Sequence, residues 1–183
     1  NKHNALMDAQ YRKDKDKFLG IHLHRGFHGL ADAAYKEFTP LLHPAYKIKI
    51  TGHSLGGAAA AILGMYYFEE RRPLESVITF GQPKVTNEEG CKKYWEMPLT
   101  RIVDNKDIVP LVPPLTIISA IGGQYRHLGE EVILHPNGHW IWLSEHNANR
   151  VLISGTWSNL FHESVEDHYM KNYIDKIDAI AKR

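Results

Sequence analysis

Five consecutive residues, Gly52-His53-Ser54-Leu55-Gly56, hold one hydroxyl between two glycines in the spacing G-x-S-x-G. A serine hydroxyl is a weak nucleophile until a neighbouring base takes its proton, so its placement matters. On a sharp turn between a strand and a helix the Ser54 side chain would project clear of its backbone. Side chains two residues before and two after would collide in such a turn, which calls for Gly52 and Gly56. Gly57 and the alanines at 58–61 let a helix pack close behind it. The Leu55 backbone N–H would then lie at that helix's N-terminus, able to donate to a negative oxygen developing on a carbonyl. The chemistry such a group would do is acyl transfer through a covalent serine intermediate.

A serine nucleophile needs a base, and the base needs an orienting acid. In hydrolases of this shape the chain order is Ser, then Asp or Glu, then His. Asp107 lies on the loop after a short apolar strand at 101–103, which is a suitable place, and Asp104 is its rival. Either could instead cap an Asx-turn. The histidines beyond Asp107 are His127, His135, His139, His146, His162 and His168. His168, near the start of the last helix, would have a rigid support from which to reach the sheet edge, and it is the candidate base. The others read as surface or core histidines. His22-x-His24 and His135-x3-His139 have spacings that a metal could use, but no His-Glu-x-x-His is present and the single Cys91 supplies no cysteine site, so no metal is expected.

The elements that must position these residues follow from periodicity. Phe27, Leu30, Ala31, Ala34, Tyr35 and Phe38 form an i, i+3, i+4 stripe, so 27–38 is expected to be an amphipathic helix, broken by Pro40 and Pro44. Tyr46, Ile48 and Ile50 alternate with Lys47 and Lys49, as in a strand, although two lysines are unusual in a central parallel strand and need acid partners or a wet face. Helical runs are expected at 58–70, at 86–96 with Thr86 or Asn87 as cap, and at 165–181 with Ser164 and Asp167 as capping box. Short strands are expected at 77–80, 101–103 and 132–134. Residues 1–17 read as a solvated or mobile lead-in. Trp140, Trp142 and Trp157 read as core. Helices alternating with short apolar strands mean an α/β fold with a mostly parallel sheet flanked by helices, here as one domain over 1–183.

Composition narrows the function classes. The 22 basic and 21 acidic residues give a formal charge of +1, which removes the electrostatic argument for a nucleic-acid partner. No apolar run approaches the length of a transmembrane helix, and residues 1–17 contain no signal-peptide core.

Six segments taken together resemble the class 3 lipases, the fungal-type triacylglycerol lipase group. They are LHRGFH at 23–28, TGHSLGGAAA at 51–60, TFGQPKVTN at 79–87, RIVDNKDIVPLVPP at 101–114, YRHLGEEV at 125–132 and DHYMKNY at 167–173. The resemblance implies an α/β-hydrolase fold, a Ser54–His168–Asp107 triad, a nucleophile elbow of Gly52, His53, Gly56 and Gly57, and Leu55 as an oxyanion donor. It implies hydrolysis of a lipid or small ester with no cofactor, with transient contact with lipid interfaces. Phospholipase or acyltransferase activity on the same triad, or a non-catalytic module that binds a lipid or a partner, are the rival readings. No Arg-Gly-Ser or Arg-Gly-Thr segment precedes His24, and the family's first strands have no counterpart, so the expectation is a part of a longer protein.

Overall fold

The structure, a computed structural model, describes residues 13–112, 124–144 and 166–183. Its main layer is a five-stranded sheet in the order β3-β4-β6-β8-β9, made of β3 (Ile48–His53), β4 (Leu74–Phe80), β6 (Leu99–Asp104), β8 (Glu130–Leu134) and β9 (Trp140–Leu143). The first four run parallel and β9 returns antiparallel, pairing Leu134 with Trp140. The mostly parallel sheet is therefore present, and its parallel strands put their C-termini on one edge.

One face of the sheet is covered by α2 (Leu55–Glu69), against which α1 (Arg25–Phe38) packs. Residues 57–67 of α2 are all buried, because the helix meets the sheet on one side and α1 on the other, so it carries no polar face. α1 buries only its stripe, with Ala31 fully enclosed and Phe27, Ala34 and Tyr35 against the core. The core runs from Leu19, Ile21 and Leu23 through Ile62, Met65 and Tyr67 to Val77, Leu99 and Leu128. α3 (Glu88–Lys93) begins where the Asn87 side chain accepts the Gly90 N–H, as its cap predicts. α4 (Met170–Ala181) lies against β6, β8 and the 136–138 turn.

Several expectations need correction. Residues 13–17 are not a solvated lead-in: Lys13–Lys15 form β1, paired antiparallel with β2 (His22–His24), and Asp16 in the turn between them is buried. This hairpin, with β5 (Thr86–Asn87) and β7 (Tyr125–Arg126), makes a second, antiparallel sheet in the order β1-β2-β5-β7. Residues 1–12 lie outside the described residues. Lys49 and Lys47 find their acid in Glu75 of the neighbouring strand, at 2.7 and 4.0 Å, on a solvent-facing part of the sheet. The last helix starts at Met170, after a single turn at Glu166–His168, and Ser164 of the expected capping box lies outside the described residues, as does Trp157. Trp140 and Trp142 are half-exposed on the terminal strand rather than core.

Candidate active site

β3 ends at His53, α2 begins at Leu55, and Ser54 between them takes φ 57° and ψ −124°. A non-glycine residue at positive φ is strained, and the strain is held by hydrogen bonds on both sides: Ser54 N–H donates to the Phe80 carbonyl at 2.9 Å and the Ser54 carbonyl accepts the Ala58 N–H at 3.1 Å. The turn is tight on one side only. A Cβ on Gly52 would lie 2.3 Å from the Gly56 carbonyl oxygen, while a Cβ on Gly56 would meet no described atom within 4 Å. The expected collision therefore concerns Gly52, and Gly57 behind it at 3.1 Å from the Gly52 oxygen, but not Gly56.

The turn after β6 and the turn before α4 deliver the remaining parts. His168 Nε2 is 2.6 Å from Ser54 Oγ and its Nδ1 is 2.7 Å from Asp107 Oδ2. A buried carboxylate accepts, so Nδ1–H donates to it and Nε2 is left to accept from the serine hydroxyl. Asp107 follows β6 in a turn closed by its own N–H on the Asp104 carbonyl at 3.0 Å. It is 2% exposed, and its Oδ1 accepts the Val109 N–H at 2.8 Å. The sequence rival Asp104, also buried, is turned away and pairs with Lys176. His53, the other elbow residue, donates Nε2–H to the His168 carbonyl at 2.8 Å and stacks on the His168 ring at 4.7 Å between centroids, so it steadies the imidazole from below.

Two neighbours of this chain of hydrogen bonds were not legible as such. Tyr173, on α4, donates its hydroxyl to Asp107 Oδ2 at 2.5 Å. Burial, and then the Asp107 charge, push its phenol well above the ordinary range, so it stays a donor. Gly81, at φ +55° after β4, faces the Asp107–His168 contact, and a Cβ there would stand 2.8 Å from Asp107 Oδ2 and 2.9 Å from His168 Cε1. The glycine that follows β4 was a signal available.

Other described histidines serve the fold. His127 is buried and donates Nε2–H to the Pro110 carbonyl at 2.5 Å. His24 stacks on Phe27 at 3.9 Å, and burial lowers it to about 4, so it is neutral at ordinary pH. His135 and His139 flank the 136–138 turn, joined by a main-chain hydrogen bond, and His146 and His162 lie outside the described residues. Among the described residues no three His, Cys, Asp or Glu side chains stand together as a metal site, and no helix is long and apolar enough to cross a membrane.

An arrangement with a hydroxyl on a strained turn, an imidazole against it and a buried carboxylate behind can lower the barrier to proton removal from the hydroxyl. Comparisons place the chain among lipases. The family model described as lipase (class 3) matches residues 2–117. The lipase of Rhizopus niveus is 36% identical over 125 residues, covering 61% of this chain and 32% of that protein. A chloroplastic phospholipase A(1) of Arabidopsis thaliana is 37% identical over 111 residues, covering 55% of this chain and 24% of that protein. The solved structure of lipase II from Rhizopus niveus superposes with a TM-score of 0.58 at 31% identity, over 71% of this chain and 52% of that one. The chain thus spans about a third or less of the length of these two curated relatives. The described sheet, with its elbow at the end of β3 and its acid after β6, is that of an α/β-hydrolase, and the chain belongs to the class 3 lipases.

Proposed function

We propose that the chain carries the reactive site of a serine carboxylic-ester hydrolase that cleaves acylglycerols or related lipid esters through an acyl-enzyme on Ser54. The observation that carries this reading is the unbroken chain of hydrogen bonds from Ser54 Oγ through His168 to Asp107, at 2.6 and 2.7 Å. Ser54 Oγ attacks the ester carbonyl as its proton passes to His168 Nε2. Asp107 stays ionised and stabilises the imidazolium. The tetrahedral oxyanion takes the Leu55 N–H at the start of α2 as a donor. The C–O bond of the leaving alcohol breaks as His168 returns the proton to it, and a water activated by the same imidazole then releases the carboxylic acid. Leu55 and Tyr169, 51% and 60% exposed beside the nucleophile and the base, offer apolar surface to an acyl chain or to a lipid surface in passing contact. The name of the plant relative favours phospholipids as a second ester class on the same residues.

Hydrolysis of p-nitrophenyl butyrate by the chain, with Ser54→Ala alongside, tests the reading. Turnover is expected in the unaltered chain and should fall by more than about 10³-fold in Ser54→Ala. A folded chain without turnover, or a variant that retains it, contradicts the proposal. Tributyrin emulsion and phosphatidylcholine vesicles, assayed in parallel, separate acylglycerol from phospholipid cleavage.

A further inference from the structure

Two carboxylates stand three residues apart, Asp104 at the end of β6 and Asp107 in the turn after it, and α4 holds both. Tyr173 donates to Asp107, and Lys176, one helical turn further on the same face of α4, reaches Asp104. Lys176 Nζ is 2.5 Å from Asp104 Oδ1 and 3.0 Å from Asn105 Oδ1. The Asp104 side chain is fully buried and that of Lys176 is 16% exposed. Asp104 Oδ1 also accepts the Lys106 N–H at 3.0 Å, and its main-chain carbonyl accepts the Asp107 N–H at 3.0 Å, so Asp104 shapes the turn that presents Asp107. Its other oxygen, Oδ2, is buried with no hydrogen-bond partner among the described residues. A buried carboxylate satisfied at one oxygen only depends heavily on its cation.

His168 closes the single turn at Glu166–His168, and only the extended Tyr169 separates it from Met170, where α4 begins. Where α4 sits along the end of β6 therefore sets where the imidazole stands relative to Ser54 and Asp107. Tyr173 and Lys176 tie α4 to that end, and the Lys176 bond is the ionic one.

We propose that Lys176 and Asp104 are a positioning pair that seats α4 on the 104–107 turn and so keeps His168 bridging Ser54 and Asp107. The inference rests on the reading that these three residues react. Neither member of the pair touches the reacting atoms. Lys176 acts through Asp104 and through the helix it holds.

The test uses the full chain and three variants, Lys176→Met, Lys176→Arg and the double variant Asp104→Asn/Lys176→Met. Three quantities are read: kcat and KM for p-nitrophenyl butyrate, the melting temperature, and the proton resonance of the His168 Nδ1–H bonded to Asp107 in 15N-histidine-labelled protein. Lys176→Met should lower kcat by about 10- to 10²-fold, the range that misplacement of a reacting group produces, with KM within about twofold. The His168 resonance should weaken or vanish in Lys176→Met and persist in Lys176→Arg, which should also keep most of kcat. The double variant decides between positioning and mere stability. Removing both ions together relieves the buried unpaired charge, so its melting temperature should recover relative to Lys176→Met. If the pair positions His168, kcat and the resonance stay low in the double variant, and if they recover with stability the proposal is overturned. Should Lys176→Met fail to fold, the double variant alone carries the comparison with the unaltered chain. Should the unaltered chain show no ester turnover, the functional reading fails, and the resonance still decides for the pair: equal signals in the unaltered chain and the double variant overturn it.

Discussion

Among the described residues two Asp–His–Tyr groupings are built almost alike. In one, Asp107 Oδ2 accepts from His168 at 2.7 Å and Tyr173 at 2.5 Å, and Oδ1 accepts the Val109 N–H at 2.8 Å. In the other, Asp16 Oδ2 accepts from His28 at 2.8 Å and Tyr66 at 3.0 Å, and Oδ1 accepts the Leu19 N–H at 2.6 Å. Both aspartates are buried, and each is satisfied by a ring N–H, a phenol and a main-chain amide. The difference lies on the far side of the imidazole. His168 has Ser54 at its second nitrogen, on a turn strained at φ 57°. Among the described residues no hydrogen bond joins His28 to a serine, threonine or cysteine. The grouping is therefore a general solution to burying a carboxylate, and the serine on the strained turn is what sets one of the two apart. The Asp16 grouping fastens the β1–β2 hairpin to α1 and α2, so its work is stability.

Parallel substitutions in the two groupings give the largest contrast. Asp107→Asn should lower kcat by about 10⁴-fold, the loss seen when a triad acid no longer fixes the histidine tautomer. Asp16→Asn should leave kcat within about twofold and remove about 2 kcal/mol of stability, or roughly 4–8 °C of melting temperature. The Asp16 loss has a pH signature. Burial alone would raise this carboxyl, but the Leu19 N–H, the Tyr66 hydroxyl and His28 outweigh it and hold it below its ordinary value of 3.8. A group with a depressed folded value contributes stability that is complete above 3.8 and lost as pH falls through the folded value. The gap in melting temperature between the unaltered chain and Asp16→Asn should therefore close in acid. Activity lost equally in both variants, measured by steady-state hydrolysis, would erase the contrast.

The elbow supplies the next contrast. Gly52→Ala would drive a Cβ to 2.3 Å from the Gly56 oxygen, and displacing the turn should lower kcat by about 10²-fold or more. The tyrosines come next. Tyr173→Phe should lower kcat about tenfold, the rate equivalent of about 1.4 kcal/mol lost from the orientation of Asp107, while Tyr66→Phe should shift only the melting temperature. Gly56→Ala carries the smallest effect. With open space around it and a better helix former in place, kcat should stay within about twofold and stability should rise by up to about 1 kcal/mol. A Gly56→Ala chain as impaired as Gly52→Ala would show that the turn is constrained on both sides.

Much of this was legible beforehand because it rests on local chemistry. The alternation at 46–50, the all-apolar run at 58–68 and the glycines at 52 and 57 are short-range signals, and they appear as β3, α2 and the turn between them. The three residues joined by hydrogen bonds, Ser54, Asp107 and His168, were each readable from the element that bears them. What was not legible depends on long-range pairing. β1, β5 and β7 are two or three residues long, too short for any period to show, and exist because the hairpin and the segments at 86–87 and 125–126 meet across the fold. Lys47 and Lys49 looked misplaced because Glu75 lies on another strand. Tyr173 and Lys176 fit an amphipathic helix equally well with or without partners, so their bonds to Asp107 and Asp104 leave no trace in spacing.

Covalent labelling by a fluorophosphonate tests the central claim most directly, since it reads the nucleophile without requiring the natural substrate. The account predicts one adduct per folded chain, located by peptide mass on Ser54, formed slowly in Asp107→Asn and at the unaltered rate in Asp16→Asn. A folded chain that takes no label, or takes it on another residue, would contradict it.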